Sequence, residues 1–179
     1  MSAILTALDG LLADRETTVA RDLKLNFRRT MTDGALTEDE RVLAALCFAR
    51  STGLKGLEAP AREEALALGL SADIATEAED SAAIMGMLNV YYRFRHFVDG
   101  ESGGAYGPAK LRMQSLAAPA MGKARFELLA IGVSMINGCE KCVTSHEAAL
   151  MQLGVDREKI HEIARLAATV KGLATLLSS

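Results

Sequence analysis

The chain has 179 residues, half of them apolar, only 4% aromatic, with no Trp and a formal charge of −3. A core must therefore come from Ala, Leu, Ile, Val and Met, which favours helices against one another, and the length suits one domain or two small fused units. Acids and bases are interspersed around a pI of about 5.7, so the one-sided basic stripe of a nucleic-acid binder is missing and no such partner is expected.

Along the chain, the opening MSAILTALDGLLADRE has no basic n-region and meets Asp9 and Asp14, so a secretory signal is not expected. No apolar run reaches the roughly 18 residues of a membrane span, which makes a soluble, cytoplasmic protein the expectation. Apolar residues recur at three and four positions, as in Leu43, Leu46 and Cys47 or Ile160, Ile163, Ala164 and Ala167. That period predicts amphipathic helices, and with no convincing strand the fold class is all-α. Breaks are expected at Thr32 to Gly34, Gly53 to Pro60, Gly100 to Pro108 and Ala117 to Gly122, with DGESGGAYGP at 99–108 as the clearest linker. Met85, Met87 and Met135 fall in apolar helical patterns and read as core. The segment NVYYRFRHF at 89–97 mixes aromatics with Arg93, Arg95 and His96, but in an acidic chain it reads as a buried or subunit-facing helix.

Shifted by 85 positions, the sequence aligns with itself without a gap. Leu43 meets Leu128, Ala45 meets Ala130, Gly53 meets Gly138, Leu68 and Gly69 meet Leu153 and Gly154, and Ala82 and Ala83 meet Ala167 and Ala168. The matches fall at turn glycines and apolar positions, as in a single domain made of two related helical halves, about 42–86 and 127–171. Leu54 and Leu57 of the first copy stand where the second has Cys139 and Cys142, so only the second carries chemistry.

The segment KARFELLAIGVSMINGCEKCVTSHEAAL at 123–150 reads as helix, Asn-Gly turn, helix, with Asn137 and Gly138 ending the first helix at positive φ. Cys139, Cys142 and His146 then share one face of the second. Two of three cysteines in one short motif are not a secreted disulfide framework. In a reducing compartment they are redox-active or metal-binding. A disulfide enzyme needs two thiols in reach and one ionised, because the thiolate attacks. Lowering a thiol pKa from about 8.5 to about 7 takes roughly 2 kcal/mol, of which a helix N-terminus supplies about 0.3–1. His146, one turn after Cys142, can serve as base or cationic partner, and Lys141 adds a positive charge as a candidate thiolate stabiliser. Glu127 precedes Cys139 by twelve residues on the previous helix. Beside a thiol it would raise the thiol pKa, so its useful part is to accept a proton from and orient His146. Zinc is the competing reading and would need a fourth ligand such as Glu127, Cys47 or His161. Thioredoxin itself is disfavoured for want of a βαβ context. Cys47, inside LAALCFA, reads as a small core residue, and His161 as solvent-facing.

FELLAIGVSMINGCEKCVTSHE resembles the active-site segment of the alkyl hydroperoxide reductase AhpD family, a branch of the carboxymuconolactone decarboxylase-like superfamily. DLKLNF at 22–27, AAIMGMLNVYYRFRHF at 82–97, LRMQSLAAPAMGKARFE at 111–127 and LGVDREKI at 153–160 resemble it in the same order, so the likeness covers nearly the whole chain. It implies an all-helical fold, usually a homotrimer, and an antioxidant enzyme that reduces organic hydroperoxides and passes electrons from dihydrolipoyl groups to the peroxiredoxin AhpC. It also implies Cys142 as the attacking thiol and the one that forms the mixed disulfide with AhpC, and Cys139 as its partner in the intramolecular disulfide. Glu127 and His146 would form a proton relay through water. No metal and no tightly bound cofactor is implied; dihydrolipoamide or a lipoylated protein is the electron donor. One departure stands out: a well-known form of the motif has His before the second cysteine, where this chain has Lys141, a poor proton shuttle near neutral pH. A carboxymuconolactone-type decarboxylase, the other superfamily reading, has no need of two redox cysteines.

Overall fold

The computed structural model describes residues 2–99 and 106–178, and among them eight α-helices and no strand. They are α1 (Ala3–Leu11), α2 (Thr18–Thr32), α3 (Glu38–Thr52), α4 (Lys55–Ala67), α5 (Ala72–Asp99), α6 (Lys123–Ile136), α7 (Glu140–Gln152) and α8 (Arg157–Leu177), with a 3₁₀ turn at Gln114–Leu116 before α6. The all-α expectation holds.

Two helices form the centre. Every residue of α3 from Val42 to Ala49 is buried, as is every residue of α6 from Phe126 to Ser134. Neither has a solvent face over these turns, which is why neither is amphipathic in the usual sense. The two touch each other and are flanked by α5 and α8; α4 and α7 follow them, α1 covers α4 and α2 covers α8. At the crossing a side chain on Gly132 has no room, since a Cβ would stand 2.1 Å from Phe48 Cζ.

Local chemistry sets the ends. Thr37 opens α3 with a capping box: its hydroxyl accepts from Glu40 N, and the Glu40 carboxylate accepts from Thr37 N at 2.8 Å. Gly53 closes α3 at φ 73°. Gly138 does the same after α6 at φ 65°, while Asn137 before it stays right-handed. The Asn-Gly turn therefore needs positive φ at one residue, the one without a Cβ.

Helices α3, α4 and α5 begin at 38, 55 and 72, and α6, α7 and α8 at 123, 140 and 157, a constant offset of 85 residues. Two carboxylates, half-buried Glu77 and buried Glu162, follow the same spacing. Glu77 on α5 accepts from the backbone N–H of Ala120 and Met121 at 2.8 and 2.7 Å, just before α6. Glu162 on α8 accepts from Leu36 N at 3.1 Å, just before α3. Each three-helix set supplies the carboxylate that secures the chain leading into the other set.

Two local expectations are corrected. The break proposed at Gly53 to Pro60 is only the turn at Gly53 and Leu54; Pro60 lies inside α4, where it forfeits one hydrogen bond while Leu57, Ala61 and Ala65 bury the helix. Met87 is 39% exposed because α5 turns Met85 and Leu88 inward, whereas Met135, half-buried, packs against the core. Of the linker at 99–108, residues 100–105 lie outside the described residues; Tyr106 and Gly107 follow, their carbonyls accepting from Arg95 at 3.0 and 2.9 Å. Among the described residues no helix is long and apolar enough to cross a membrane.

Filling the α3–α6 crossing should be costly. Gly132→Ala is expected to destabilise the fold by about 1–3 kcal/mol through displacement of the Phe48 ring, despite the better helix propensity of Ala, as read by denaturant unfolding.

Candidate active site

The α6–α7 hairpin builds the site. After Gly138 the chain enters α7 through Cys139, which holds the N-cap position in extended conformation with no side-chain cap bond. Its backbone N–H is satisfied by the Ser134 carbonyl at 3.0 Å. Cys142 follows in the first turn, and the two are joined as a disulfide with Cα atoms 5.3 Å apart. Cys139 is 1% exposed and Cys142 7%. Cys142 lines a largely apolar cavity of about 370 Å³ and Cys139 does not. Met85, Leu88 and Tyr92 from α5 form one side, and Met113 and Leu116 from the segment before α6 form another. Lys141, Ser145 and His146 complete the wall with Cys142 from α7.

Glu127 projects from α6 and is nearly inaccessible. One carboxylate oxygen accepts from His146 Nδ1 at 2.6 Å. The other pairs with Lys123 Nζ at 2.9 Å, one turn earlier on α6. Burial pushes the Glu127 carboxyl up, but the hydrogen bonds from His146 and Lys123 and their charges outweigh it and hold it below its ordinary value. Glu127 is therefore an ionised acceptor that fixes the imidazole, leaving Nε2 to exchange a proton with whatever enters the cavity. His146 and Cys142 line that cavity together.

Cys139, Cys142, His146 and Glu127, chosen from spacing, thus come together, with Lys141 exposed on the same wall. The other zinc-ligand candidates do not join them. Cys47 is fully buried in α3, its thiol pushed far up by burial, and His161 is exposed on α8, its Nδ1 2.9 Å from the Arg165 guanidinium. Among the described residues no group of three or more His, Cys, Asp or Glu is arranged to hold a metal ion. Lys123 was missed, although a Lys four residues before a Glu is a helical pair legible from sequence. Asn89 and Ser134, single polar residues within apolar helical patterns, were missed as well.

The cysteine pair at the start of α7, the Glu127–His146 pair and the apolar cavity lined by Cys142 and His146 thus form one cluster. The carboxymuconolactone decarboxylase family model matches residues 106–179. The chain is 41% identical over 166 residues to alkyl hydroperoxide reductase AhpD of Anaeromyxobacter sp. (strain K), covering 88% of this chain and 84% of that protein. It is 39% identical to the AhpD of Rhizorhabdus wittichii, with 92% and 94% covered, and 38% identical to that of Rhodopseudomonas palustris, with 94% and 92% covered. The chain belongs to the alkyl hydroperoxide reductase AhpD family.

The lowered Glu127 pKa fixes the sign of a pH effect. Its unfolded value is near 4.5, so the ionised carboxylate stabilises the fold fully above that pH and loses its contribution as pH falls through the lower folded value. Wild type should be more stable than Glu127→Gln at neutral pH, and the two denaturation midpoints should converge as pH falls through the lowered Glu127 value.

Proposed function

We propose that this chain is an antioxidant peroxidase of alkyl hydroperoxides, cycling between a Cys139–Cys142 dithiol and disulfide. The observation that carries the reading is the disulfide whose Cys142 lines an apolar cavity shared with the Glu127-anchored His146. In the reduced state His146 takes the Cys142 proton. The thiolate attacks the terminal peroxide oxygen, the O–O bond breaks, and the departing alkoxide takes up a proton as an alcohol. Cys142 is left as a sulfenic acid. The Cys139 thiol attacks that sulfur, forming the disulfide and releasing water.

A dihydrolipoyl group, free or on a protein, then restores the dithiol by exchange and becomes a cyclic disulfide. The same Cys142 thiolate can attack the disulfide of an AhpC-type peroxiredoxin, giving a mixed disulfide that Cys139 resolves. No tightly bound cofactor takes part, and Lys141 at the cavity wall stabilises the thiolate electrostatically. The apolar lining suits organic over inorganic hydroperoxides. The exposed Val90, Phe94, Phe97 and Val98 on the outer half of α5 suit burial between copies, as in a homotrimer, and the reducing chemistry suits the cytoplasm. A decarboxylase would use neither sulfur, and a structural zinc would have to displace Glu127 from Lys123 and His146.

Peroxide consumption with dihydrolipoamide should fall to background in Cys142→Ser and by roughly a hundredfold or more in His146→Ala. Cys139→Ser should accumulate a mixed disulfide with oxidised peroxiredoxin. Undiminished turnover in Cys142→Ser, or thiols that react only after a chelator is added, would sink the proposal.

A further inference from the structure

Behind the cysteine pair lies a buried polar chain in which none of the redox residues' side chains takes part. Asn89 on α5 is fully buried, and so is Ser134 on α6. The Asn89 Nδ2 donates to Ser134 Oγ at 2.9 Å, and its Oδ1 accepts from Asn137 Nδ2 at 3.0 Å. Arg93, one turn along α5, donates to the Asn137 carbonyl. Helix α5 thus grips the α6–α7 turn through a hydroxyl, a side-chain amide and a main-chain carbonyl. Two residues after Asn137 comes Cys139.

The other three-helix set serves as an internal control. Eighty-five residues from Asn89, Ser134 and Asn137 stand Ala174, Ala49 and Thr52. The turn there closes with the same main-chain bonds: Leu54 N donates to Ala49 O at 2.9 Å and Gly53 N to Arg50 O, matching Cys139 N to Ser134 O and Gly138 N to Met135 O. Thr52 bonds back to Phe48 O at 2.8 Å and reaches no neighbouring helix. The turn folds, therefore, without any buried polar chain. Burying two polar side chains that the backbone does not need costs free energy unless each is paired, so their presence on the cysteine side alone calls for a purpose beyond folding.

We infer that Asn89 is a positioning residue that holds the Cys139 turn in place when the disulfide is open, so that Cys139 stays within reach of the Cys142 sulfur. This rests on the dithiol–disulfide cycle proposed above. A fixed turn raises the effective concentration of one thiol at the other and so favours ring closure over the open dithiol. In closure the two thiols pass two electrons and two protons to an oxidant disulfide, one S–S bond forming as the other breaks. Loosening the turn makes the pair easier to reduce and slows closure.

The test is a redox titration of the full chain in buffers of oxidised and reduced dithiothreitol, read by the mass of alkylated protein, with no peroxide present. The triple variant Asn89→Ala, Ser134→Ala, Asn137→Thr installs the residues that the other set uses in the same turn. Its equilibrium constant for disulfide formation should fall roughly tenfold, about 30 mV of potential for two electrons, with helical signal and cooperative unfolding retained. A folded triple variant whose constant stays within twofold of wild type overturns the inference. Should the triple variant not fold, Asn137→Thr alone, at a half-buried position, is expected to lower the constant about two- to threefold, and no change there overturns it equally. A wild-type pair that dithiothreitol cannot open overturns both this inference and the peroxidase cycle. A pair that opens normally in both proteins overturns only the part given to Asn89.

Discussion

Two helices whose central turns have no solvent face, α3 and α6, impose the condition under which everything else in this protein is arranged. A polar side chain on such a helix must find a partner inside the structure or bear the full cost of desolvation. Along the buried stretch of α6, from Phe126 to Ser134, only Glu127 and Ser134 carry polar side chains. They are seven residues apart, two helical turns, and so lie along the same side. Glu127 is satisfied by Lys123 and by His146 of α7; Ser134 is satisfied by Asn89 of α5. The first pairing holds the imidazole beside Cys142, and the second ties α5 to the turn that carries Cys139. The need to pair two polar groups on a buried helix thus fixes both ends of the reactive motif.

What the sequence made legible was local. The helical period, the glycine turns and the Cys-x-x-Cys with a His one turn on are all properties of a few neighbouring residues, and they located the α6–α7 hairpin. The helix–turn–helix pattern puts Glu127 on the helix before His146, and the structure brings the two to 2.6 Å. Less legible were features that depend on what lies across the fold. Asn89 is 45 residues from Ser134, and although it stands alone in an apolar pattern, nothing near it in sequence names the partner it meets. Met113 and Leu116 close the cavity from a segment with little regular structure, where periodicity has nothing to say. Pro60 read as a break because propensity penalises it inside helices, yet the buried row of Leu57, Ala61 and Ala65 overrides that penalty. Met87 read as core because a 28-residue helix is apolar on more sides than its neighbours can cover.

The two three-helix sets share a backbone plan and differ in what fills it. Where the second set has Cys139, Cys142, Glu127 and His146, the first has Leu54, Leu57, Val42 and Ala61, all buried apolar residues. The same helix–turn–helix thus serves once as core and once as a reactive surface, and only the second version keeps its α7 face open to a cavity, while α1 covers α4 in the first. The reciprocal carboxylates Glu77 and Glu162 then bind the sets together: each secures the peptide leading into the other's buried helix. Gly34, at φ 108° with the Glu162 carboxylate where its Cβ would be, shows how closely one of these clamps is fitted.

Cys47 takes no part in any of this, and that silence has a use. Its thiol is sealed in α3 and burial disfavours its ionisation, so a reagent in solution can meet it only when the whole centre of the molecule opens. The chain therefore carries two independent clocks in one chemistry: the mass added at Cys139 and Cys142 reports the redox state of the folded protein, and the mass added at Cys47 reports how often the fold itself comes apart.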